Sequence, residues 1–378
     1  MAQLLNLKDA KKHESSFDRK VKDLEEELST TKYNKKTQGH IGLVKAKLAK
    51  IKEEYQRKTA AKGKGEGFSV RRTGDATVIL VGFPSVGKST LLNAITNANS
   101  PVGAYAFTTL TCIPGLLEYN HSKIQVLDVP GIVEGAATGR GRGKEVLACA
   151  QSADLVIILL EIFNPEHLEV VKNEIYETGL RLNQKPPMVR ISKKMRGGID
   201  IGLTVKLTKL TEETIKDILK EFGLQNCSIV IREDITDDQL IDAIEGSKKY
   251  VPAITVLNKI DMVDKSELER VKAIVKPDIC VSAENKVNTE EMKELIFKKL
   301  EFIRIFCKEA GKKADMDVPL IMRKGNTLKD VCMKLHKDFI NKFRFARIWG
   351  KSARFDGMPV RKLDYVFEDK DIVEIHLS

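Results

Sequence analysis

Gly82-Phe83-Pro84-Ser85-Val86-Gly87-Lys88-Ser89-Thr90 is the stretch from which the rest of the chain can be read. It contains the pattern G-x-x-x-x-G-K-[ST]. It stands between an apolar, β-branched run, Ala76 to Val81, and the helix-forming Ser89-Thr-Leu-Leu-Asn93, the strand-loop-helix setting that a phosphate-binding loop requires. Gly82 and Gly87 allow the tight turn that points successive backbone N–H groups inward at phosphate oxygens, and the helix N-terminus adds its partial positive charge. Lys88 is placed to neutralise the β- and γ-phosphates, and the Ser89 hydroxyl to ligate Mg2+. The whole run Gly82 to Thr90 is assigned to nucleotide binding.

Further along, strand, loop and helix repeat. Strands are expected at Ala76 to Val81, Lys123 to Asp128, Asp154 to Leu160, Ala253 to Asn258 and Ile279 to Ser282, with helices at Ser89 to Asn97, Lys144 to Gln151 and Thr289 to Phe306. Continuous apolar strands alternating with helices imply an α/β fold whose mostly parallel sheet is covered by helices on both faces. Polar signatures stand at the ends of these strands. Asp128 and Gly131 form a D-x-x-G element: Asp128 would hold Mg2+ through its water, and the Gly131 N–H would meet the γ-phosphate. Asn258-Lys259-Ile260-Asp261 ends another strand, and the Asp261 carboxylate can accept from the guanine N1–H and exocyclic amine, which adenine does not offer. Asn258 would brace the loop and reach the base. Ser282-Ala283 ends the last strand, where the Ala283 N–H would meet guanine O6. All four elements fall at carboxyl ends of parallel strands, where open α/β sheets bind ligands. Base choice therefore reads as guanine, and the chain as a P-loop GTPase.

Between the loop and Asp128 lies Tyr105-Ala-Phe-Thr-Thr-Leu-Thr111. A switch segment needs a threonine that reaches Mg2+ and the γ-phosphate, and Thr109 is preferred over Thr108 and Thr111. Lys88, Thr109 and Gly131 are the candidate catalytic groups, and Ser89, Thr109 and Asp128 the candidate Mg2+ set. Ile132 follows Gly131 where many GTPases carry a water-positioning glutamine, so intrinsic hydrolysis is expected to be slow, with the missing stabilisation supplied by the switch backbone, a partner or a monovalent cation. Cation-assisted relatives carry asparagine in place of Ser85, which leaves K+ dependence open. Arg140 and Arg142, within Gly139-Arg-Gly-Arg-Gly143, leave phosphate contact, partner contact and plain surface charge open.

With 378 residues, 42% of them hydrophobic, the chain can form two to four domains with ordinary cores. The first twenty residues lack the apolar segment and cleavage site of a secretory signal. The longest apolar run, Leu155 to Leu160, falls far short of the ~18 residues of a membrane span. Six cysteines without a C-x-x-C pair fit reduced thiols and a cytoplasmic location. The net charge of +11 is carried on the ends: residues 1–73 hold 19 Lys+Arg against 10 Asp+Glu, and residues 317–378 hold 13 against 9. Basic appendages flanking a near-neutral centre point to a polyanionic partner, RNA first among them, beside the plainer reading of solvated lysine-rich faces.

Two amphipathic helices, stepping through Phe17, Val21, Leu24 and Leu28 and then Ile41, Val44, Leu48, Ile51 and Tyr55, predict an N-terminal basic helical hairpin over residues 1–66. The GTPase domain is expected over 74–162 and 247–308, interrupted at 163–246 by an α+β subdomain with strand, helix and strand at Gly198 to Leu207, Thr211 to Phe222 and Cys227 to Arg232. Residues 316–378 read as a small domain of ubiquitin-like order, with a capping-box start at Thr327-Leu-Lys-Asp330.

The phosphate loop, Tyr105-Ala-Phe-Thr-Thr-Leu-Thr111, Leu127-Asp-Val-Pro-Gly-Ile-Val-Glu-Gly-Ala136 and Gly139-Arg-Gly-Arg-Gly143 together resemble the developmentally regulated GTP-binding proteins of the Obg superfamily, over essentially the whole chain. That resemblance implies an N-terminal helical domain, a GTPase domain interrupted by a subdomain like the second domain of ribosomal protein S5, and a C-terminal β-grasp TGS domain. It implies GTP and GDP as ligands, ribosome or ribosomal RNA as a partner in translation and, in eukaryotes, a stabilising regulatory protein. Two functional readings follow: a GTP-hydrolysing switch docked on ribosomal RNA, or an RNA-binding scaffold in which nucleotide sets conformation and hydrolysis is incidental.

Overall fold

The computed structural model describes residues 17, 19–32, 37–61, 74–96, 113–129, 149 and 151–377. Thr109, Gly131, Ile132, Arg140 and Arg142, and nearly all of the helix expected at Lys144 to Gln151, lie outside them. In chain order the elements are helices α1 (residues 19–30) and α2 (Gln38–Ala61), then β1 (Ala76–Val81), α3 (Lys88–Ile95), β2 (Ile113–Tyr119), β3 (Ser122–Asp128), β4 (Leu155–Glu161), α4 (His167–Glu177) and β5 (Leu180–Leu182). There follow β6 (Val189–Lys193), β7 (Ile199–Leu203), α5 (Glu212–Glu221), β8 (Cys227–Ile231), α6 (Asp237–Glu245), β9 (Lys249–Val251), β10 (Ala253–Asn258), α7 (Lys265–Val275), β11 (Ile279–Cys280) and α8 (Thr289–Lys299). The last elements are β12 (Phe302–Cys307), β13 (Leu320–Arg323), α9 (Leu328–Leu335), α10 (Phe339–Lys342), β14 (Phe343–Trp349), β15 (Met358–Val360) and β16 (Asp371–Leu377).

These elements divide into two compact units, Met1–Gly67 with Lys185–Lys248, and Phe68–Gln184 with Lys249–Ser378. In the second unit a six-stranded sheet runs β11-β10-β4-β1-β3-β2. Its pairings are parallel except for the edge strand β2, antiparallel to β3 and absent from the sequence reading. All six residues of β1, Ala-Thr-Val-Ile-Leu-Val, are buried, because one face packs in a core with Ile158, Val171 and Leu257 and the other with Leu91, Ile157 and Met292. A strand covered on both faces needs apolar side chains on both, hence Ala76 and Val78 to Val81, while the buried Thr77 hydroxyl donates to Gln125 Oε1 at 3.4 Å.

Strand register brings the signatures together. Leu80 lies opposite Asp128, Val81 opposite Ile158 and Asn258 opposite Glu161. The C-terminal sheet, ordered β13-β12-β16-β14-β15, places its first and last strands parallel at the centre. That is the β-grasp, ubiquitin-like arrangement. Helix α9 opens with the expected capping box between Thr327 and Asp330 and lays Leu328, Val331 and Cys332 on that sheet's core.

Four boundaries differ from the sequence reading. The helix expected to run from Thr289 to Phe306 ends at Lys299, Glu301 turns at φ 53, and Phe302–Cys307 is the first strand of the C-terminal sheet. That domain therefore starts near residue 302 instead of 316, and the second GTPase segment stops short of 308. Phe-Ile-Arg-Ile-Phe-Cys satisfies both periods, and the partner that selects strand, β16, lies more than sixty residues away. The insertion is also narrower than 163–246. Helix α4 buries Leu168, Val171 and Ile175 in the GTPase core, and β5 pairs with β9 in the same unit, so the break falls at 184/185.

The described helices within residues 1–66 do not stand as a domain of their own. A polar contact between His40 and Glu27 and a salt bridge from Lys52 to Glu25 join the two helices of the hairpin, and α2 packs on α5 and α6. There Ala46 enters the insertion's core, Lys45 bridges to Asp237 and Asp238, and a Cβ on Gly42 would meet Thr214 Cγ2 at 3.2 Å.

Candidate functional site

The loop between β1 and α3 is shaped by backbone conformation. Gly87 lies at φ 94, a region costly for any residue with a Cβ, and a Cβ there would stand 2.5 Å from Asn258 Nδ2. At Gly82 a Cβ would meet the Leu159 carbonyl oxygen of β4 at 2.4 Å, so the loop can leave the sheet at this point only as glycine. Ser85 adopts φ 63 with its side chain exposed. Helix α3 begins at Gly87 without a side-chain cap, which leaves its first-turn N–H groups to a ligand. Lys88 Nζ donates to the carbonyls of Gly82 and Phe83, each at 2.9 Å, folding back across the loop it belongs to. Phe83 stacks on His167 of α4 with ring centroids 4.0 Å apart, while Pro84 and Thr90 are exposed and Val86 is buried.

Ser89 and Asp128 meet as the register implies, the Ser89 hydroxyl donating to Asp128 Oδ2 at 3.3 Å. Asp128 is 6% exposed, and its Oδ1 finds no hydrogen-bond partner among the described residues. Burial raises its carboxyl above the ordinary value, and the nearby Lys88 charge and the Ser89 hydroxyl only partly counter it. A buried, under-satisfied carboxylate beside a hydroxyl, next to a loop suited to phosphate, is the all-oxygen environment that a hard divalent cation takes. Magnesium therefore fits the residues present.

At the other end of the site Asn258 is 2% exposed and makes two hydrogen bonds. Its Nδ2 donates to the Val86 carbonyl at 2.9 Å, and its Oδ1 accepts from the Ala283 N–H at 3.0 Å. One amide thus ties the phosphate loop to the Ser282-Ala283 turn. The expected brace is present, but the Ala283 N–H assigned to guanine O6 is engaged by Asn258 and reaches a base only by sharing or releasing that bond. Ser282 is fully buried, and its hydroxyl accepts from the Asn285 N–H at 3.2 Å. Lys259 occupies the left-handed region at φ 64, ψ 33 and leads into a 3-10 turn, Ile260–Met262, that presents Asp261 exposed.

Glu161, at the end of β4, escaped the sequence reading. Its Oε2 pairs with Lys259 Nζ at 2.7 Å. The available signal was a carboxylate closing the otherwise apolar run Leu155 to Leu160. His167 left no comparable signal, since its stacking on Phe83 depends on the placement of α4.

A family model described as "50S ribosome-binding GTPase" matches residues 77–194, one described as the C-terminal region of that domain matches 196–302, and the TGS domain model matches 303–377. The chain is 51% identical over 363 residues to an uncharacterized GTP-binding protein of Methanocaldococcus jannaschii, covering 95% of this chain and 92% of that one. It is 41% identical to developmentally-regulated GTP-binding protein 1 of Xenopus laevis, covering 94% and 98% of the two chains. To developmentally-regulated G-protein 3 of Arabidopsis thaliana it is 42% identical, covering 96% and 99%. Among the described residues no helix is long and apolar enough to cross a membrane.

Proposed function

The chain belongs to the family of developmentally regulated GTP-binding proteins, and on that premise we propose that it is a GTP-hydrolysing switch whose basic ends dock on ribosomal RNA and which acts in translation. The observation that carries the nucleotide half is the convergence of Lys88, Ser89, Asp128, Asn258 and Asp261 at one end of a parallel sheet, with Asn258 joining the phosphate loop to the base-side turn. In this reading the Gly82–Thr90 backbone encloses the phosphates. Lys88 exchanges its two loop carbonyls for β- and γ-phosphate oxygens, and Asp261 accepts from the guanine N1–H and amine. Ser89 directly and Asp128 through water would hold Mg2+, joined by Thr109, and the bound ion would neutralise charge on the phosphates. The Gly131 N–H is assigned to the γ-phosphate on its D-x-x-G signature.

Turnover is slow without help, because Ile132 cannot orient the attacking water. Comparing KCl with NaCl decides whether a monovalent cation at the Ser85 loop contributes. The ribosomal half rests on the +11 charge and its concentration at the two ends of the chain, the electrostatic footprint of polyanion binding. GTP turnover measured with and without ribosomes tests both halves. The expected result is stimulation by ribosomes and near loss of turnover in Lys88→Ala; undiminished turnover in that variant refutes the reading.

Ile132 also favours a second reading, an RNA-binding scaffold in which hydrolysis is incidental. Co-sedimentation with ribosomes that is salt-sensitive but identical with GDP and a non-hydrolysable GTP analogue would select it.

A further inference from the structure

The segment following β4 reaches both halves of the nucleotide site. Glu161 closes β4 directly opposite Asn258 of β10. Its Oε2 holds the Lys259 ammonium at 2.7 Å, its side chain is 17% exposed, and its Oε1 accepts from Asn164 Nδ2 at 2.5 Å. The six residues before it, Leu155 to Leu160, are buried and apolar, so a carboxylate at this edge of the core costs desolvation that must be offset. Burial disfavours its ionised form, but the Lys259 and Asn164 hydrogen bonds outweigh that and hold the carboxyl below its usual value. At neutral pH it is therefore an anion aimed at Lys259.

Lys259 is the residue that needs holding. It is a non-glycine residue in the left-handed region, a conformation that persists only when its surroundings impose it. It lies between Asn258, locked by two hydrogen bonds, and the turn that carries Asp261. Any relaxation of Lys259 swings Asp261 relative to Asn258, and a bidentate contact to a base edge tolerates little such movement.

We infer that Glu161 is a positioning residue for base recognition: by anchoring the Lys259 side chain it keeps the left-handed turn in place and sets the direction in which Asp261 faces the guanine amine. This rests on the guanine-nucleotide reading above. The same segment supports the phosphate loop through His167 against Phe83; His167 is also the last and smallest of the influences on the Glu161 carboxyl, so it is the GDP/IDP ratio that tells the two effects apart.

Displacement of a fluorescent GDP analogue from the full-length chain in Mg2+ by GDP, IDP and ADP tests the inference. IDP lacks the exocyclic amine and reports what Asp261 reads. Glu161→Ala is expected to weaken GDP about tenfold and IDP only two- to threefold, so that GDP/IDP discrimination shrinks several-fold. Glu161→Gln, nearly isosteric and still able to accept from lysine, is expected to move in the same direction by less, and it decides the matter if the alanine variant does not fold. His167→Ala is expected to weaken GDP and IDP in equal proportion. If both Glu161 variants keep the wild-type GDP/IDP ratio, the inference is overturned while the site reading stands. A wild-type chain that does not prefer GDP over ADP overturns the site reading and this inference with it.

Discussion

Replacing Asn258 tests whether the phosphate loop and the base-side turn form one object. The side chain is 2% exposed and bridges Val86 O at 2.9 Å to Ala283 N at 3.0 Å. Both backbone partners belong to residues at most 4% exposed. Asn258→Ala strips each of its partner, and a buried backbone group left unsatisfied costs about 1–3 kcal/mol. Allowing for water entering the vacated space, the pair amounts to about 3 kcal/mol. At about 2–4 °C per kcal/mol for a unit of this size, nucleotide-free protein is expected to unfold roughly 6–12 °C lower. Because the lost bonds also hold the loop ready for phosphate, GDP affinity should fall at least tenfold, about 1.4 kcal/mol.

The companion variant Asn258→Asp keeps the acceptor for Ala283 N but turns a carboxylate oxygen towards the Val86 carbonyl. At neutral pH it should therefore be no better than alanine. It should recover as pH falls through the carboxyl's own titration, since the protonated acid regains a donor. Calorimetric melts and fluorescence titration measure both effects. An Asn258→Ala protein that unfolds within a degree of wild type and binds GDP equally well would refute the bridge.

Asp128→Asn removes a carboxylate whose folded-state pKa is raised by burial. Such a group favours the fold below its unfolded pKa and loses that contribution as pH rises through the folded one. Melts in EDTA should accordingly show the asparagine variant as stable as wild type or slightly more so at neutral pH, while the Mg2+-dependent gain in GDP affinity disappears; a large loss of stability in EDTA would contradict this. In the C-terminal domain burial raises the Glu374 carboxyl, but hydrogen bonds from Lys308 at 2.9 Å and His376 at 2.7 Å more than compensate, leaving it below its ordinary value. Its stabilising contribution is thus present at neutral pH and is lost as pH falls below about 4.3, the usual glutamate value, and on through the depressed one. The melting temperature of wild type should drop more steeply than that of Glu374→Gln across that window, and parallel curves would count against the pairing.

The candidate nucleotide site was legible where local backbone chemistry dictates residue type. A turn that brings Gly82 within 2.4 Å of Leu159 O, counted to a Cβ it does not have, can be written in few ways, and a strand buried on both faces is mostly apolar, as β1 is apart from Thr77. Asp128 and Asn258 could be read for a related reason, since each terminates such a strand, and Asp261 follows in the turn after Asn258. The edge strand β2 was not legible. Its Ile-Pro-Gly-Leu-Leu-Glu-Tyr contains both proline and glycine, which read as turn, and the edge position excuses both.

By itself the sequence determined that the phosphate loop, Asp128, the Asn258-to-Asp261 signature and Ser282-Ala283 follow one another in that order along alternating strands and helices, because spacing and burial period are local properties of a chain. Tertiary structure alone decided the partnerships: α4 with the GTPase core, α2 with the insertion, Phe302–Cys307 with β16, and Glu161 with Lys259. An amphipathic stripe or a lone carboxylate states that it needs a partner without saying which, and residues 98 positions apart meet only after the sheet has brought β4 and β10 side by side.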